Sequence, residues 1–407
     1  MTISSLNKTT YILLSIALLS AGCKSSSHVH SPPNPVLNGS DILFTRSAAF
    51  PKGLKVGLIT NHTGHTQQRH LTLNLLLKSK DLKLKAIFSP EHGIHGTLDS
   101  KIDDSTDAKS GLKIFSLYGA NRKPTADQLT GLDALIFDIQ DIGCRFYTYI
   151  STMGLAMEAA AEAGIRFIVL DRINPIGGQI VDGPIRQGKS QFIAFHNIPV
   201  QHGMTVGELA HMFNKERDYN VNLQVIKVEG WSRRMFFDET GQPWTNPSPN
   251  MRNLTQALLY PGVGLLETAL SVGRGTDTPF EIIGAPYIDD VKLARSLNDL
   301  KQPGVRFIPI KFTPKASIHK DKACNGVNII ITNREALRSV PLGVEIARVL
   351  HQMYPEHFPL NKVNRLLCHA DTLSAIERGD TLSQIQNIWT EDLNHFKRRR
   401  SKFLLYK

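Results

Sequence analysis

Acidic, basic and amide side chains concentrate in two parts of the chain, where they could perform acid–base chemistry. Glu91 lies in the segment FSPEHG, between Pro90 and His92. A glycosidase needs one carboxylic acid that supplies a proton to the leaving oxygen, and usually a second group as nucleophile or base. Partial burial of a carboxyl at such a rigid turn is a common way to tune it for proton donation. Glu91 is therefore a candidate acid, and the alternative is a solvent-facing loop glutamate.

The second concentration of polar side chains lies among glycines, in residues 264–281. It contains Glu267, Arg274 and Glu281. Glu267 and Arg274 could belong to a site, but Glu267 could equally cap a helix and Arg274 could simply pair with it. Upstream, Tyr147 and Tyr149 offer flat faces to a sugar ring, and their helical spacing is equally compatible with packing.

Motifs for cofactors and for several other hydrolase mechanisms are absent from the sequence. The chain has no GxGxxG fingerprint, no GxxxxGK[ST] loop, no HExxH and no GxSxG. These absences argue against nucleotide, zincin and serine-hydrolase chemistry, so we expect no cofactor. A metal site built from His92, His95, Asp138 and Asp141 stays open as an alternative, although no pair of them has a diagnostic spacing.

Apolar segments of strand length alternate with helical patterns from residue 54 onward. Strands are predicted at 55–60, 82–88, 112–115, 134–138, 166–171 and 221–228, and helices at 72–80, 147–164 and 205–215. This alternation indicates an α/β fold, in which helices cross over between parallel strands. In such a sheet, ligands lie outside the carboxyl ends of the strands.

Polar side chains directly follow four of the predicted strands, which places them at one rim of the sheet. These side chains are Asn61 after the first strand, Glu91 and His92 after the second, Asp138, Gln140 and Asp141 after the fourth, and Arg172 after the fifth. Each loop is common by itself. Together they predict a cleft in which carboxylates, amides and imidazoles converge.

The periodicity stops in a segment rich in Pro and Asn, residues 241–253, which we interpret as a domain boundary or an active-site crossover. Beyond it, the sequence predicts a helix at 289–300, strands at 305–312 and 326–332, and helices up to the C-terminus. We therefore expect a catalytic parallel-sheet domain over residues 39–245 and a smaller α+β domain over residues 246–407.

The first 23 residues have the features of an export signal. Lys8 precedes a short apolar segment, residues 11–19, and small residues then lead to Cys23. So short a segment is typical of a signal peptide and not of a spanning helix. Its ending resembles the lipobox of bacterial lipoproteins, in which the cysteine is lipidated; the alternative is a cleaved signal with an incidental thiol. Residues 24–38, rich in Ser, His and Pro, predict a flexible tether to a membrane surface.

The overall composition limits the class of protein and its partners. The chain has 407 residues, of which 41% are hydrophobic, and a net charge of +11. It can therefore form one large or two ordinary domains, and it is neither disordered nor a polytopic membrane protein. Because the basic residues are scattered and the chain carries an export signal, an anionic envelope polymer fits the charge better than nucleic acid. The basic run at 397–400 predicts a solvated helix end.

Three cysteines follow Cys23, namely Cys144, Cys324 and Cys368. An odd number cannot all pair in an oxidising compartment, so at most one disulfide forms. Free buried thiols are the expectation, and Cys324 with Cys368 is the pair considered for a disulfide.

Eight sequence blocks, in order, carry a resemblance to a known family. They are VGLITNHTG (56–64), FSPEHGIHG (88–96), FDIQDIGCRFYTYISTM (137–153), LDRINPIGG (170–178), HGMTVGELA (202–210), PSPNM (247–251), YPGVGLLE (260–267) and GRGTDTPFEIIGAP (273–286). Through these blocks, the chain resembles the NamZ-type exo-β-N-acetylmuramidases. The resemblance implies a Rossmann-like domain without a nucleotide, joined to a smaller C-terminal domain, with the site in the cleft between them.

The resemblance also implies an activity and the residues that perform it. The activity is removal of terminal N-acetylmuramic acid from the non-reducing ends of peptidoglycan fragments, with Glu91 as acid/base. For the second catalytic group, Glu267, Asp138 and Asp141 rank ahead of Glu281. The substrate-binding residues that we expect in or beside the matching blocks are Asn61, His92, Gln140, Arg145, Tyr147, Arg172, Asn250, Arg274 and Glu281.

The implied substrate carries a lactyl carboxylate, which a guanidinium can hold with two hydrogen bonds. Arg145, Arg172 and Arg274 are the candidates for that contact. The substrate's own acetamido group could replace an enzyme nucleophile.

Two other functions compete with this interpretation. One is a non-catalytic envelope lipoprotein that binds peptidoglycan through the same cleft, and the other is a metal-dependent hydrolase. In either case we expect an exported protein, facing the periplasm if an outer membrane is present.

Overall fold

The structure is a computed structural model that describes residues 36–46, 50–96, 103–119 and 121–407. The expected signal peptide, Cys23 and most of the expected tether lie outside the described residues. Within the described ranges, no helix combines the length and the apolar character needed to cross a membrane.

The elements alternate along the first half of the chain and become mainly helical near its end. The strands are β1 (Leu54–Thr60), β2 (Leu82–Ser89), β3 (Ser105–Thr106), β4 (Lys113–Ser116), β5 (Ala134–Asp138), β6 (Arg166–Leu170), β7 (Asp182–Ile185), β8 (Pro199–Gln201), β9 (Leu223–Ile226), β10 (Ile282–Ala285), β11 (Val305–Phe312) and β12 (Cys324–Ile331). The helices are α1 (Gly39–Thr45), α2 (Thr72–Lys78), α3 (Ala126–Leu129), α4 (Tyr149–Glu162), α5 (Val206–Glu216), α6 (Leu254–Val263), α7 (Asp290–Asp299), α8 (Ser339–Met353), α9 (Leu360–Leu367), α10 (Ala370–Glu377) and α11 (Leu382–Arg400).

The larger sheet has seven strands in the order β3-β4-β2-β1-β5-β6-β9. All its neighbouring pairs are parallel except β3 with β4. Along β5, Leu135 and Phe137 belong to one hydrophobic cluster, and Ala134 and Ile136 belong to another. Because successive side chains of a strand point to opposite faces, both faces of this sheet are covered. The predicted α/β architecture is confirmed.

The strand order also fixes where a ligand can bind. β1 pairs with β2 on one side and with β5 on the other, so the winding direction of the sheet reverses between β1 and β5. Loops after neighbouring strands diverge at such a point and leave a crevice at the carboxyl edge. The turn that carries Glu91 follows β2 directly, beside this point.

A smaller antiparallel sheet, in the order β10-β12-β11, forms part of the second half of the chain. Helices α6 and α8 cross there at two glycines. A Cβ on Gly262 would lie 1.8 Å from the Ser339 carbonyl oxygen, and a Cβ on Gly343 would lie 2.2 Å from the Gly262 carbonyl oxygen. Glycine is therefore required at this crossing. The expectation of a smaller second domain that mixes helices and strands is confirmed.

One buried guanidinium holds the two halves of the chain together. Arg145 donates to the carbonyl oxygens of Pro184 and Ile198 at 2.9 and 3.2 Å, and to those of Leu366 and Leu367 at 3.0 and 2.6 Å. The latter two end α9, where carbonyls lack partners within the helix. Burial lowers the pKa of Arg145 to about 10. The side chain thus fixes the end of α9 against the first half of the chain.

The basic run at the end of α11 is not simply a solvated helix end, as the sequence suggested. Arg399 pairs with Glu216 at 3.0 Å, and Arg400 donates to the carbonyl oxygens of Gly178 and Gly203 at 3.1 and 3.0 Å. Only the first two residues of the run are exposed. The sequence could not indicate this, because Glu216, Gly178 and Gly203 are distant in sequence and reach the end of α11 only in the folded chain.

The C-terminal segment beyond α11 returns to the larger sheet. Tyr406 donates its hydroxyl hydrogen to Asp171 Oδ2 at 2.5 Å, and its oxygen accepts from the Val228 amide at 2.9 Å. Arg233 donates to the carbonyl oxygen of Tyr406 and pairs with Glu208, both buried or half-buried. These contacts hold the C-terminal segment against the first half of the chain.

The end of the expected tether belongs to the folded body, which corrects its boundary. Val36 is 1% exposed and packs in a cluster with Trp231, and Leu37 exchanges backbone hydrogen bonds with Glu229. The Asn38 amide donates to Asp41 Oδ2 at 2.9 Å, at the start of α1. Because the apolar side chain of Val36 packs in this hydrophobic cluster, the folded body begins before residue 38.

The three described cysteines are free thiols, so the disulfide considered for Cys324 and Cys368 is not formed. Cys144 and Cys324 are buried and Cys368 is half-buried. Burial raises the pKa of all three thiols, most of all that of Cys144, which keeps them in the unreactive protonated form.

Candidate active site

A cavity of about 870 Å³ lies between the carboxyl edge of the larger sheet and the second half of the chain. The cavity is lined by the turn after β2, the start of α4, parts of residues 264–280, residues 316–318 and α9. Of the residues predicted for the site, the cavity brings together Glu91, His92, Tyr147, Glu267 and Arg274. Their convergence from distant parts of the sequence makes this cavity the candidate active site.

Glu91 is held by a tight turn and by one hydrogen bond. His92 and Gly93 both adopt positive φ angles, 70° and 72°, which reverse the chain directly after β2. Positive φ is uncommon outside glycine, and such residues recur at functional sites. Thr148 donates its hydroxyl hydrogen to Glu91 Oε2 at 2.6 Å. The half-buried Glu91 carboxyl therefore faces the cavity in a defined orientation.

Glu267 faces the same cavity and has a cationic neighbour. It directly follows a short 3-10 turn, Gly264–Leu266, that continues from α6. Arg274 donates to Glu267 Oε2 at 2.8 Å, and its guanidinium carbon lies 5.5 Å from the centre of the Phe280 ring. The side chains of Glu267 and Arg274 are 18% and 26% exposed, so both remain accessible to a ligand. The site thus contains two carboxylates, Glu91 and Glu267, that line the same cavity.

Aromatic side chains pack edge to face at the base of the cavity. Tyr147 contacts Tyr149 and Tyr260 with ring centres 5.1 and 5.8 Å apart, and Tyr260 contacts Phe280 at 4.7 Å. Tyr149 donates its hydroxyl hydrogen to the Pro247 carbonyl oxygen at 2.7 Å. Burial raises the pKa of Tyr260 well above its usual value, and the charges of Glu267 and Glu91 raise it further. These rings form a rigid, uncharged surface suited to a sugar face.

Three exposed cations complete the lining of the cavity. Arg122 lies 4.3 Å above the centre of the Phe192 ring, and α9 contributes Lys362 and Arg365. Within the described residues, none of these cations pairs with a carboxylate. An excess of positive charge around a cavity attracts an anionic ligand and favours its bound state.

The structure places Asp138 and Arg172 outside the cavity, where they pair with each other. Arg172 Nε donates to Asp138 Oδ1 at 2.6 Å, and Thr72 donates its hydroxyl hydrogen to Asp138 Oδ2 at 2.6 Å. Arg172 also donates to the His65 carbonyl oxygen at 2.8 Å. Both side chains are almost fully buried. Their polar atoms are therefore engaged in holding the loops at the carboxyl edge, beneath the site.

Asp141 is also outside the cavity lining, in a buried polar cluster. Its Oδ2 accepts from the Gly143 amide at 2.7 Å and lies 3.7 Å from His202 Nε2. Burial raises the pKa of Asp141 to about 7 and lowers that of His202 to about 3. Because His202 Nδ1 accepts from the Met204 amide, the neutral ring carries its proton on Nε2, toward Asp141.

The remaining predicted residues also lie outside the cavity lining. Gln140 donates to the carbonyl oxygens of Asp141 and Ile173, and Arg145 has the four carbonyl partners given above. Further residues outside the lining are Asn61, whose Oδ1 accepts from Thr63, Glu281, which accepts from Asn253 and Gln256, and the buried Asn250. These side chains support the loops around the site.

The metal alternative is not supported by the geometry of the described residues. Across the described ranges, no three His, Cys, Asp or Glu side chains come together in an arrangement that could hold a metal ion. In particular, Asp138 and Asp141 are buried in separate polar clusters, while His92 lines the cavity.

Comparison with known proteins places the chain in a family. Two models, described as the N-terminal and C-terminal parts of exo-beta-N-acetylmuramidase NamZ, match residues 56–255 and 258–406. The chain belongs to the NamZ family. It is 40% identical over 398 residues to the peptidoglycan beta-N-acetylmuramidase NamZ of Bacillus subtilis, and the match covers 96% of each chain.

Two solved structures share the fold of this chain. A DUF1343 family protein of Bacteroides fragilis has a TM-score of 0.85 at 34% identity, covering 92% of this chain and 99% of the other. A second DUF1343 family protein of the same organism has a TM-score of 0.74 at 29% identity, covering 91% of this chain and 99% of the other. The shared fold therefore extends through both halves of this chain.

Several residues that line the cavity were not predicted from the sequence, among them Thr148, Arg122, Lys362 and Arg365. Thr148 lies in a block that carried the family resemblance, directly after Tyr147, so its proximity to the site could have been inferred. The three cations belong to no motif. Lys362 and Arg365 reach the cavity only because α9 packs against the first half of the chain.

Proposed function

We propose that this protein is an exo-β-N-acetylmuramidase, which removes terminal N-acetylmuramic acid from the non-reducing ends of peptidoglycan fragments. The observation that carries the proposal is the pair of carboxylates, Glu91 and Glu267, that line one cavity together with several cations. The Bacillus relative that bears the name of this activity covers almost the whole chain.

In the proposed mechanism, Glu91 is the general acid. Its free oxygen, Oε1, gives a proton to the glycosidic oxygen as the bond to the anomeric carbon breaks. The leaving sugar departs as a neutral alcohol. Glu267 is the nucleophile or the base. If Glu267 is the nucleophile, the Glu91 carboxylate then takes a proton from the water that hydrolyses the intermediate. If Glu267 is the base, Glu267 takes the proton of the attacking water and Glu91 regains its own proton from solvent. The Arg274 guanidinium, 2.8 Å away, keeps a positive charge beside Glu267.

The anomeric configuration of the first product distinguishes the possible second groups. Retention requires a covalent or internal intermediate, formed either by Glu267 or by the acetamido oxygen of the substrate, whereas inversion requires direct attack by water. Proton NMR of the initial product therefore assigns the mechanism. If the acetamido group is the nucleophile, Glu267→Gln retains most of the activity.

Recognition of the lactyl carboxylate is assigned to the cations that line the cavity. Arg145 and Arg172, two of the three initial candidates, have their guanidinium groups engaged elsewhere. Arg274 remains, together with Lys362 and Arg365 of α9. If these cations bind the carboxylate, a neutral N-acetylglucosaminide is a poor substrate, because it lacks the charged group that they contact.

The test is product analysis with disaccharides that differ in one feature each. The purified protein is incubated with a disaccharide that has muramic acid at its non-reducing end, with the reversed disaccharide, and with di-N-acetylchitobiose. Mass spectrometry then identifies the sugars released. The proposal requires free N-acetylmuramic acid from the first substrate only. Binding of the first disaccharide without cleavage would instead favour the non-catalytic peptidoglycan-binding lipoprotein.

We further propose that the protein is exported and anchored to a membrane of the cell envelope by a lipid on Cys23. The support is the sequence alone, which has a short apolar segment followed by small residues and a cysteine. Residues between Cys23 and Val36 would act as the tether, which places the cavity near envelope peptidoglycan fragments. Mass spectrometry of the mature N-terminus tests this proposal. A Cys23→Ser variant that keeps the same acylated fraction and membrane fractionation would refute it.

A further inference from the structure

Thr148 occupies a helix position whose usual role it does not perform. It is the residue directly before α4, where a threonine side chain normally accepts a hydrogen bond from the first turn. In the described helices, the three other threonines at this position, Thr125, Thr205 and Thr381, do accept such a bond. The Thr148 side chain does not. The Thr148 hydroxyl can therefore donate a hydrogen bond to a group outside the helix.

The backbone explains the difference. Thr148 has a ψ angle of −2°, whereas the three other threonines have ψ angles of 157–166°. This helical conformation turns the hydroxyl away from the amides of the first turn of α4. The helix start is instead closed by backbone bonds from the amides of Ser151 and Thr152 to the Thr148 carbonyl oxygen, both at 3.0 Å. Thr148, which lines the cavity, therefore lacks the capping hydrogen bond that the three other threonines make.

The hydroxyl of Thr148 is instead directed at Glu91. It donates to Oε2 at 2.6 Å, a distance typical of a strong bond to a carboxylate. In the described part of the chain, no other group donates to the Glu91 carboxyl. An oxygen that already accepts a hydrogen from Thr148 is the poorer place for the acid proton, so the proton belongs on Oε1. The positive end of α4 lies on the same side of the carboxyl.

We propose that Thr148 is a positioning residue, which holds Oε2 of Glu91 by a hydrogen bond and so presents Oε1 to the substrate as the proton-donating oxygen. This inference rests on the proposed role of Glu91 as general acid. It assigns to Thr148 two effects. The hydroxyl fixes the rotation of the carboxyl group, and it keeps the acid proton off Oε2.

Two substitutions at the same position separate these effects from packing. Thr148→Val keeps the shape of the side chain and removes the hydroxyl, while Thr148→Ser keeps the hydroxyl. Thr152→Val is the matched control, because it makes the same change one turn later in α4, outside the cavity lining. The two substitutions at Thr148 preserve α4, since its side chain makes no capping bond that could be lost. Thr152→Val removes only a long bond, 3.4 Å, from the Thr152 hydroxyl to the Thr148 carbonyl oxygen.

The kinetic expectation concerns kcat and KM. With the muramyl disaccharide, kcat of Thr148→Val falls by about 10- to 100-fold with KM nearly unchanged, because a misplaced acid loses orientation. Thr148→Ser and Thr152→Val retain the behaviour of the unsubstituted protein. An equal kcat for Thr148→Val and the unsubstituted protein would overturn the inference.

A second measurement keeps the inference testable even if the proposed activity fails. The Glu91 carboxyl is followed by 13C NMR in protein labelled at glutamate side-chain carboxyls, and its signal is assigned by its loss in Glu91→Gln. Thr148→Val must change the chemical shift of this signal, because the carboxyl loses its hydrogen-bond donor, and Thr148→Ser must not. If the signal is unchanged in Thr148→Val, the hydrogen bond has no effect on Glu91 and the inference is wrong. An unsubstituted protein without sugar release refutes the proposed function by itself.

Discussion

Replacing Asp141 by Asn tests whether this residue belongs to the fold or to the catalytic machinery. The sequence ranked Asp141 among the candidates for the second catalytic group, whereas the structure buries it outside the cavity, beside His202. A catalytic carboxylate would lose at least about 100-fold in kcat on this change. For the structural role, we expect kcat to stay within a few-fold and stability to change in a way that depends on pH.

The size and direction of the stability change follow from burial. The pKa of Asp141 is about 7 in the folded protein and 3.8 in its usual range. Between these values, the folded state keeps the proton and the unfolded state has lost it, so stability falls as pH rises from about 4 to about 7. A difference of about three pKa units corresponds to about 4 kcal/mol. Asn carries no charge and does not titrate. As pH rises from about 4 to about 7, the free energy of unfolding of Asp141→Asn therefore rises by about 4 kcal/mol relative to that of the unsubstituted protein.

His202 acts in the opposite direction and makes the prediction sharper. Its pKa is about 3 in the folded protein against 6.5 ordinarily, so the unfolded state binds the extra proton and stability rises with pH between these values. The two contributions largely cancel in the unsubstituted protein. In Asp141→Asn only the contribution of His202 to the pH dependence remains, so the stability of the variant rises steeply between about pH 4 and pH 6.5.

The assay is urea unfolding followed by circular dichroism at half-unit steps from pH 4.5 to pH 8, with the midpoint compared between the two proteins. Asp141→Asn must gain in relative stability as pH rises, and the gain must level off above pH 7. A difference that does not vary with pH would mean that Asp141 is ionised throughout, and the reasoning from burial would be refuted. A large loss of kcat at full stability would return Asp141 to the catalytic candidates.

Three further substitutions test the packing around the site. Gly343→Ala places a methyl group against the Gly262 carbonyl oxygen and pushes α6 away from α8, so the free energy of unfolding falls by about 3 kcal/mol. An unchanged urea midpoint would contradict this expectation. Arg145→Met leaves four carbonyls without a donor and costs about 3 kcal/mol or more, whereas a raised KM at full stability would restore its predicted contact with substrate. Tyr406→Phe removes the hydroxyl bonded to Asp171, so the melting temperature falls by several degrees, with a cost of about 1–3 kcal/mol; an unaltered melting temperature would show that the C-terminal segment adds no stability.

Much of the fold could be predicted from the sequence, because the signals for it are local. The fully buried segment ALIFD predicts a strand without reference to its neighbours, and Thr205 with Glu208 predicts the start of α5. The short strands β7, β8 and β10 were not predicted. They contain glycine or proline and have only three or four residues, so they depend on pairing with other parts of the chain.

The site was predicted only in part, because sequence indicates the type of a side chain and not its partners. Arg145 and Arg172 have the chemistry of carboxylate ligands. What separates them from Arg274 is burial: their guanidinium groups meet backbone carbonyls and Asp138, which are contacts between distant segments. The turn that carries Glu91 could be recognised because proline, glutamate, histidine and glycine are adjacent in sequence.

The most direct test of the account is the activity of Glu91→Gln, measured together with its affinity for the muramyl disaccharide. Glu162→Gln, at the far end of α4, serves as the control for the same chemical change. The account predicts that Glu91→Gln lowers kcat by about 1,000-fold, because general acid catalysis is lost. The dissociation constant should remain within a few-fold and the control should remain active. Turnover by Glu91→Gln close to that of the unsubstituted protein would contradict the assignment of this cavity as the place where the glycosidic bond is broken.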